Sequence, residues 1–438
     1  MRWRFIPHGA VRSDRDSALP AVGRSTERYI CDKAESVGVA LRVLLVVLAV
    51  GSLGFYAAGA WHMWRFFGRG KTVAGPRPPV SVMVPVAGFD ATTRQFLEAL
   101  CRQDYPDYEI LIGTTDPKDP AAGPLAELVA AFPGRVRLFL GLPPRGANYK
   151  DSILSYLLEA ARHEVIVFAD SDLRIDGRYL DKVVSPLADP AVGLVTFPYA
   201  DRQPETLAQA AASLGRCIDF VPGILLARAL DDGLRFALGI TLATRKSTLA
   251  MAGGLHLDRI GSDYNLGKRI AATGHRVELS TEALDWATAG ESPLDVFRRE
   301  LRWARSIRFN RGAQYYSMVL CHGTIIGLLL VLLTGAATWA VALCVAVFGV
   351  RCLQAWICAR AMRCDRLLPW LWILPLRDAL SFAVWLAGSF GRQVMWRGRV
   401  LRIRDDGLIS EDGLSGPVSG ARAWRTNGSP AHPGSTQL

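Results

Sequence analysis

The stretch VIVFADSD, residues 165–172, decides the fold. Five apolar residues in a row suit a strand buried on both faces, and the polar residues after them end it at once. Three similar runs precede it: VSVMVPV at 80–86, EILIG at 109–113 and VRLFL at 136–140. Between them, residues 91–102, 125–132 and 151–162 carry apolar side chains at helical spacing. Alternating β and α units over 78–290 predict an α/β domain with a mostly parallel sheet covered by helices. Ligands of such sheets bind beyond the carboxyl ends of the strands, which places the candidate site in the loops VPVAGFD, GTTDPKD and FADSD.

Outward from this domain the composition changes. The chain has 438 residues, 50% hydrophobic, with a net charge of +11, which excludes a disordered or collagen-like protein. Residues 298–438 hold 18 Arg, no Lys and seven acids, so they carry the whole excess, and residues 1–297 are neutral. A nucleic-acid binder usually spreads basic residues over its folded domain, so no nucleic-acid partner is expected; Arg beside long apolar segments points to a lipid bilayer. The eight Cys form no CxxC pair and read as small buried thiols rather than disulfide or zinc ligands.

Residues 37–64 are expected to anchor the chain in the membrane, because 43–64 are 22 residues without a charge. Residues 1–36 read as a loose polar extension. A second charge-free segment, 312–350, is long for one span and short for two, and Thr334-Gly335 near its middle suits a tight hairpin. A further apolar stretch, 367–390, contains the adjacent pair Arg377-Asp378, expected at a turn, an interface or a protein-lined cavity. Thus 312–392 form a C-terminal membrane region. The basic segments 351–366 and 392–404 are expected on the cytoplasmic side, in a multi-pass protein of a bacterial inner (cell) membrane. The Gly/Ser/Pro-rich residues 405–438 are expected to be disordered.

Four features carry chemistry. Asp170 and Asp172 sit two apart on a loop that ends an apolar strand, where two carboxylates can hold Mg²⁺ or Mn²⁺ against a diphosphate. Asp116 ends the second strand, placed either to accept hydrogen bonds from a nucleotide or to cap a turn. Asp263 precedes an amphipathic helix and is either its cap or a general base. Residues 291–311 form a basic amphipathic helix with Leu294, Phe297, Leu301, Ala304 and Ile307 on one face. It reads as an interfacial helix, or more specifically as one that offers Arg299 and Arg302 to a leaving diphosphate and Trp303 to a sugar acceptor.

The order Asp116, Asp170-Ser171-Asp172, Asp263 and Arg299-x-x-Arg302-Trp303 resembles the pattern D, DxD, D, (Q/R)xxRW of the membrane-bound inverting family 2 and 21 glycosyltransferases. The nearest likeness is to ceramide glucosyltransferases and hopanoid-biosynthesis glycosyltransferases, carried by CRQDYPDYEI, TTDPKDPA, GANYKDS, ADSDLRI, RRELRWARSIR and PLRDALSFAVWLAGSFGRQVMWRGR over about residues 78–404. The resemblance implies a GT-A-type nucleotide-sugar-binding domain with Asp116 and Lys150 at the nucleotide. It further implies Asp170 and Asp172 at a divalent cation and the donor diphosphate, Asp263 as catalytic base, and Arg299, Arg302 and Trp303 in the final motif. Asp151 departs from that pattern, standing where relatives carry an apolar residue. The implied reaction moves a sugar, glucose or N-acetylglucosamine, from a UDP-sugar to a hydroxyl of a membrane lipid such as ceramide, diacylglycerol or a hopanoid. A processive polysaccharide synthase and a non-catalytic nucleotide- or lipid-binding protein are the alternatives.

Overall fold

The computed structural model describes residues 21–68, 75–288 and 290–411. Its strands are β1 (Val80–Pro85), β2 (Tyr108–Gly113), β3 (Val136–Phe139), β4 (Val165–Ala169), β5 (Leu173–Arg174), β6 (Val192–Thr196), β7 (Tyr199–Ala200), β8 (Thr241–Arg245), β9 (Arg276–Leu279), β10 (Leu284–Trp286), β11 (Gln393–Trp396), β12 (Arg399–Ile403) and β13 (Ile409–Glu411). The first six helices are α1 (Ala21–Phe67), α2 (Ala91–Cys101), α3 (Ala122–Ala131), α4 (Tyr149–Ala160), α5 (Tyr179–Val184) and α6 (Leu207–Gly215). There follow α7 (Val221–Leu230), α8 (Lys246–Met251), α9 (Ser262–Ala272), α10 (Pro293–Arg311), α11 (Gly323–Leu333), α12 (Thr338–Ala361) and α13 (Leu374–Gly388).

A seven-stranded sheet runs in the order β3-β2-β1-β4-β8-β6-β9. Strands β3, β2, β1 and β4 are parallel neighbours, and only β8 runs antiparallel to the strands on either side of it. Every residue of β1, β2 and β4 is buried, which is why each reads as a largely apolar run rather than an alternating one. The helices start where short polar side chains cap them. Asp90 accepts from Thr93 N at 2.8 Å at the head of α2, and Asn148 accepts from Asp151 N at 3.2 Å at the head of α4. A small sheet, β5-β10-β7, extends the site side of the domain.

Among the described residues, five helical stretches are long and apolar enough to cross a membrane: Glu35–Phe67, Leu207–Leu230, Pro293–Leu333, Thr338–Ala361 and Asp365–Gly388. The hairpin expected at Thr334-Gly335 is present. Helix α11 ends at Leu333, and Gly335 and Ala336 turn the chain with φ of 61° and 60° before α12 begins. The segment 351–366 is not the basic loop expected. Helix α12 continues to Ala361, and its Arg351 is fully buried, bonded at 2.7 Å to both Asp219 and Asp378. A boundary drawn at the first charge therefore falls inside the helix, because that charge is neutralised within the protein. The pair Arg377-Asp378 lies inside α13 rather than at a turn, and both side chains are buried against protein. Arg377 forms a two-pronged pair with Glu300 of α10, each bond 2.9 Å long.

Two further expectations change. Residues 21–36 are not loose, since α1 extends the membrane anchor backwards to Ala21; residues 1–20 lie outside the described part. Residues 405–411 are not disordered either: they complete an antiparallel sheet, β11-β12-β13, whose inward residues Val394, Leu401, Ile403 and Ile409 pack on Ile260. Residues 412–438 lie outside the described part. This C-terminal sheet is held to α10 by Arg305, which donates to the backbone of Phe390 (3.2 Å) and Gln393, and by Arg308, which donates to Ser389 and Gly391. It lies next to the loops that carry the candidate site.

Candidate functional site

The carboxyl edge of β4 delivers Asp170, Ser171 and Asp172, with Asp170 N anchored on Ile240 O at 3.0 Å. Lys150, in the first turn of α4, places its ammonium 2.5 Å from Asp170 Oδ1 and donates to Gly239 O at 3.1 Å. Burial works against that ammonium, yet the Asp170 carboxylate outweighs it and the Lys150 pKa is raised. Asp172 Oδ1 is buried without a hydrogen-bond partner. Burial, reinforced by the charge of Asp170, pushes the Asp172 carboxyl up to about 6.

Asp263 enters from α9. It is not the cap: that position is Gly261 at φ 63°, and Asp263 sits in the first turn beyond it. Burial raises its pKa, with the Lys150 charge acting in the opposite direction. A Cβ at position 239 would lie 2.7 Å from Asp263 Oδ2, so the bare Gly239 backbone is what lets the carboxylate sit where it does. Asp151, the departure from the expected pattern, is buried. Its Oδ2 accepts from Asn148 Nδ2 at 2.5 Å, and burial pushes its pKa up to about 7.

The helix α10 supplies the other wall. Ser292 and Asp295 form a reciprocal capping box with Pro293 at the first turn, which fixes where the helix begins and hence which residues face inward. Arg299 pairs with Glu291 and lies 5.0 Å over the Trp286 ring and 5.3 Å over Trp303. Trp286 and Trp303 have centroids 6.0 Å apart, and Arg216 stacks on Trp286 at 3.8 Å. None of the three Arg216 guanidinium nitrogens has a hydrogen-bond partner, nor have Arg299 Nε and Nη2. Arg302 points elsewhere, 5.5 Å over Trp396 of the C-terminal sheet.

These groups surround one cavity of about 1020 Å³. Lys150, Asp170, Asp172, Asp263, Arg299, Arg302 and Trp303 all line it. Its far end is apolar and helical, with Phe55 and Ala58 of α1, Ile224 and Ala227 of α7, and Met318 and Leu320 of the segment Gly312–His322. One expected residue is not brought in. Asp116 is exposed, is absent from the lining, and accepts from Lys118 N at 2.8 Å, which is the turn-capping role. Sequence reasoning missed Trp286, Glu291, Arg216, Trp396 and Arg397. Trp396 and Arg397 stand in a stretch quoted for its likeness, and only folding brings them beside residues far away in sequence.

The two carboxylates fit a divalent cation. Asp172 Oδ1 is an orphaned buried oxygen of the hard type such ions prefer. No group of three His, Cys, Asp or Glu capable of holding a metal occurs among the described residues.

Comparison with known proteins places the chain. A ceramide glucosyltransferase of Komagataella phaffii is 27% identical over 158 residues, which cover 34% of this chain and 30% of that protein. The match thus spans under a third of that relative's length. Among solved structures, a mannosyltransferase from Pyrobaculum calidifontis in complex with GDP-Man and Mn²⁺ is similar at 18% identity and a TM-score of 0.49, covering 80% of this chain and 97% of that one. Glucosyl-3-phosphoglycerate synthase from Mycobacterium tuberculosis is similar at 17% identity and a TM-score of 0.37, covering 53% and 78%. The model of glycosyl transferase family 21 matches residues 44–409, nearly the whole described chain, and the protein belongs to that family.

Proposed function

We propose that the protein is an inverting glycosyltransferase of GT-A type that moves a sugar from a nucleoside diphosphate sugar to a hydroxyl of a membrane lipid. The observation that carries this is the single cavity joining Asp170, Asp172, Lys150 and Asp263 to an apolar end among the candidate spans. A polar donor and an apolar acceptor can meet there without either leaving its own solvent. UDP-glucose or UDP-N-acetylglucosamine is the donor, and ceramide, diacylglycerol or a hopanoid is the acceptor class.

Asp263 accepts the proton of the acceptor hydroxyl as its oxygen attacks the anomeric carbon from the side opposite the diphosphate, and configuration inverts. Its raised pKa fits a base that must be strong enough to take that proton. Lys150 holds the Asp170 carboxylate in place. Arg302, which has no ion pair among the described residues, is the guanidinium best placed to meet the leaving diphosphate; Arg299 is already committed to Glu291. Trp303, packed on Trp286, gives the acceptor end a flat wall. Asp170 and Asp172 would hold Mg²⁺ or Mn²⁺, which when bound neutralises charge on the diphosphate. Asp116, outside the cavity, meets the nucleotide only at its rim. The catalytic domain faces the cytoplasm, where nucleotide sugars are made, at the inner membrane of a bacterium.

Mass spectrometry of lipid extracts from cells with and without the gene tests this, together with transfer by the purified chain in lipid nanodiscs. One lipid carrying a single added hexose or N-acetylhexosamine is expected. A polymeric product, or no transfer from any nucleotide sugar with Mn²⁺ present, contradicts the reading.

A further inference from the structure

Between β11 and β12 the chain reverses through Trp396-Arg397-Gly398-Arg399, with Trp396 and Arg399 paired across the turn. Both central residues have positive φ, 50° at Arg397 and 78° at Gly398. Such a two-residue turn favours Asn, Asp or Gly at its first central position. A long side chain held there is an outlier of the kind that clusters at ligand clamps.

The surroundings of Arg397 say what it clamps. Its side chain lines the same cavity as Asp170, Asp172 and Asp263. Arg397 keeps an exposed face at the tip of the hairpin, and the carboxylates whose charges act on its guanidinium are Asp170, Asp172 and Asp119. Its neighbours on the sheet are spoken for, Arg392 by Asp405 at 2.6 Å and Arg399 by Glu411, whereas Arg397 has no ion pair among the described residues. Arg302, also without one, approaches the same turn by stacking on Trp396. Two unpaired guanidinium groups therefore face the strand-end carboxylates across a space that no protein group fills.

The turn is fastened on both sides of that space. Arg399 stacks 3.4 Å over Tyr149, the residue before Lys150, and donates to Ala147 O at 3.3 Å. On the other side, Arg305 and Arg308 of α10 hold the backbone from Ser389 to Gln393. The C-terminal sheet thus bridges the donor loop and the final-motif helix.

We infer that Arg397 is a donor-binding residue: the C-terminal hairpin carries its guanidinium over Asp170 and Asp172, where it binds the diphosphate of the nucleotide sugar. This rests on the donor reading above. A planar guanidinium can grip two phosphate oxygens at once, and it would do so from the side facing away from the carboxylates and any cation on them. The hairpin is then a cationic roof, and a nucleotide that keeps its second phosphate is held more tightly than one that lacks it.

The test uses the full chain in nanodiscs with Mn²⁺. Affinities of UDP and UMP, and of GDP and GMP, are measured by calorimetry for wild type, Arg397→Gln, Arg397→Lys and, as a control on the same sheet, the exposed Arg402→Gln. Arg397→Gln should weaken the diphosphate at least tenfold and leave the monophosphate within twofold; Arg397→Lys should fall between, and the control should match wild type. Hydrogen exchange should show residues 393–403 protected by the diphosphate in wild type and not in Arg397→Gln. Diphosphate affinity within twofold of wild type, or equal loss of mono- and diphosphate, overturns the inference. A wild type that binds neither diphosphate overturns the donor reading itself.

Discussion

Two clusters of buried charge in this molecule are completed to different degrees. Among the helices, every Arg351 guanidinium nitrogen donates: Nε to Asp378 at 3.2 Å, Nη1 to Gln354 at 2.8 Å, and Nη2 to Asp219 and Asp378 at 2.7 Å each. Thr324 and Ser381 then satisfy the second oxygens of Asp378 and Asp219, at 2.5 and 3.1 Å. Around the cavity, Asp172 Oδ1, Glu291 Oε2, two nitrogens of Arg299 and all three of Arg216 have no partner. Elsewhere among the described residues, Arg202 and Arg377 each leave one nitrogen without a partner and His322 leaves both ring nitrogens. The larger gathering lies on the cavity side, where Asp172, Glu291, Arg299 and Arg216 all carry such atoms. A buried polar group without a partner is costly, so a closed network reads as structure and an open one as a site that a ligand completes.

The contrast can be broken by substitution. Asp263→Asn should cut transfer about 10³-fold or more, as loss of a general base does, with UDP affinity within a few fold of wild type. Full transfer by that variant removes Asp263 from the role of base. Arg351→Met leaves Asp219 and Asp378 buried without a cation. It should cost about 3–5 kcal/mol of stability, seen as a lowered denaturation midpoint, while the folded fraction keeps its nucleotide affinity. If Arg351→Met spared stability and abolished nucleotide binding, the two clusters would have exchanged roles.

Asp151 sharpens the comparison because its burial has a pH signature. Its pKa in the folded chain is about 7, against an ordinary 3.8. A carboxyl raised on folding contributes stability fully present below its unfolded pKa and lost as pH rises through about 7. Asp151→Asn should therefore gain on wild type as pH rises, its advantage being about 2–3 kcal/mol greater at pH 8 than at pH 5. Thermal unfolding at the two pH values reads this directly; an equal effect at both would contradict it. Gly239→Ala is expected to have the smallest effect. It displaces the Asp263 carboxylate and should lower transfer about tenfold, roughly 1.4 kcal/mol in the barrier, with stability nearly unchanged.

Much of this was legible in the sequence, for identifiable reasons. The strands β1, β2 and β4 were placed to within a residue because burial on both faces leaves a run that is apolar but for Ser81 and Glu109, which bond to each other at 2.7 Å. Asp170-Ser171-Asp172 was legible because it directly follows such a strand, and Thr334-Gly335 because a glycine interrupts an apolar segment. What escaped depended on contacts distant in sequence. Arg351 reads as the edge of a loop until Asp219 and Asp378 are seen around it. Asp263 reads as a cap until Gly261 is seen in that position. Residues 405–411 read as a tail, although they complete the sheet that brings Trp396 and Arg397 over a site formed more than a hundred residues earlier.

The central claim is that the open cluster awaits a nucleoside diphosphate and a cation, and one binding measurement addresses it most directly. Nucleoside diphosphate affinity is titrated on the full chain in nanodiscs, with and without Mn²⁺, for wild type and Asp172→Asn. The account predicts that Mn²⁺ tightens wild-type binding at least tenfold, that Asp172→Asn loses this gain, and that the variant unfolds at or above the wild-type temperature because a carboxylate with one buried, unpartnered oxygen has been removed. Equal binding with and without Mn²⁺ in both proteins, or an Asp172→Asn chain that unfolds well below wild type, would show that Asp172 belongs to the closed, structural kind of cluster and would contradict the account.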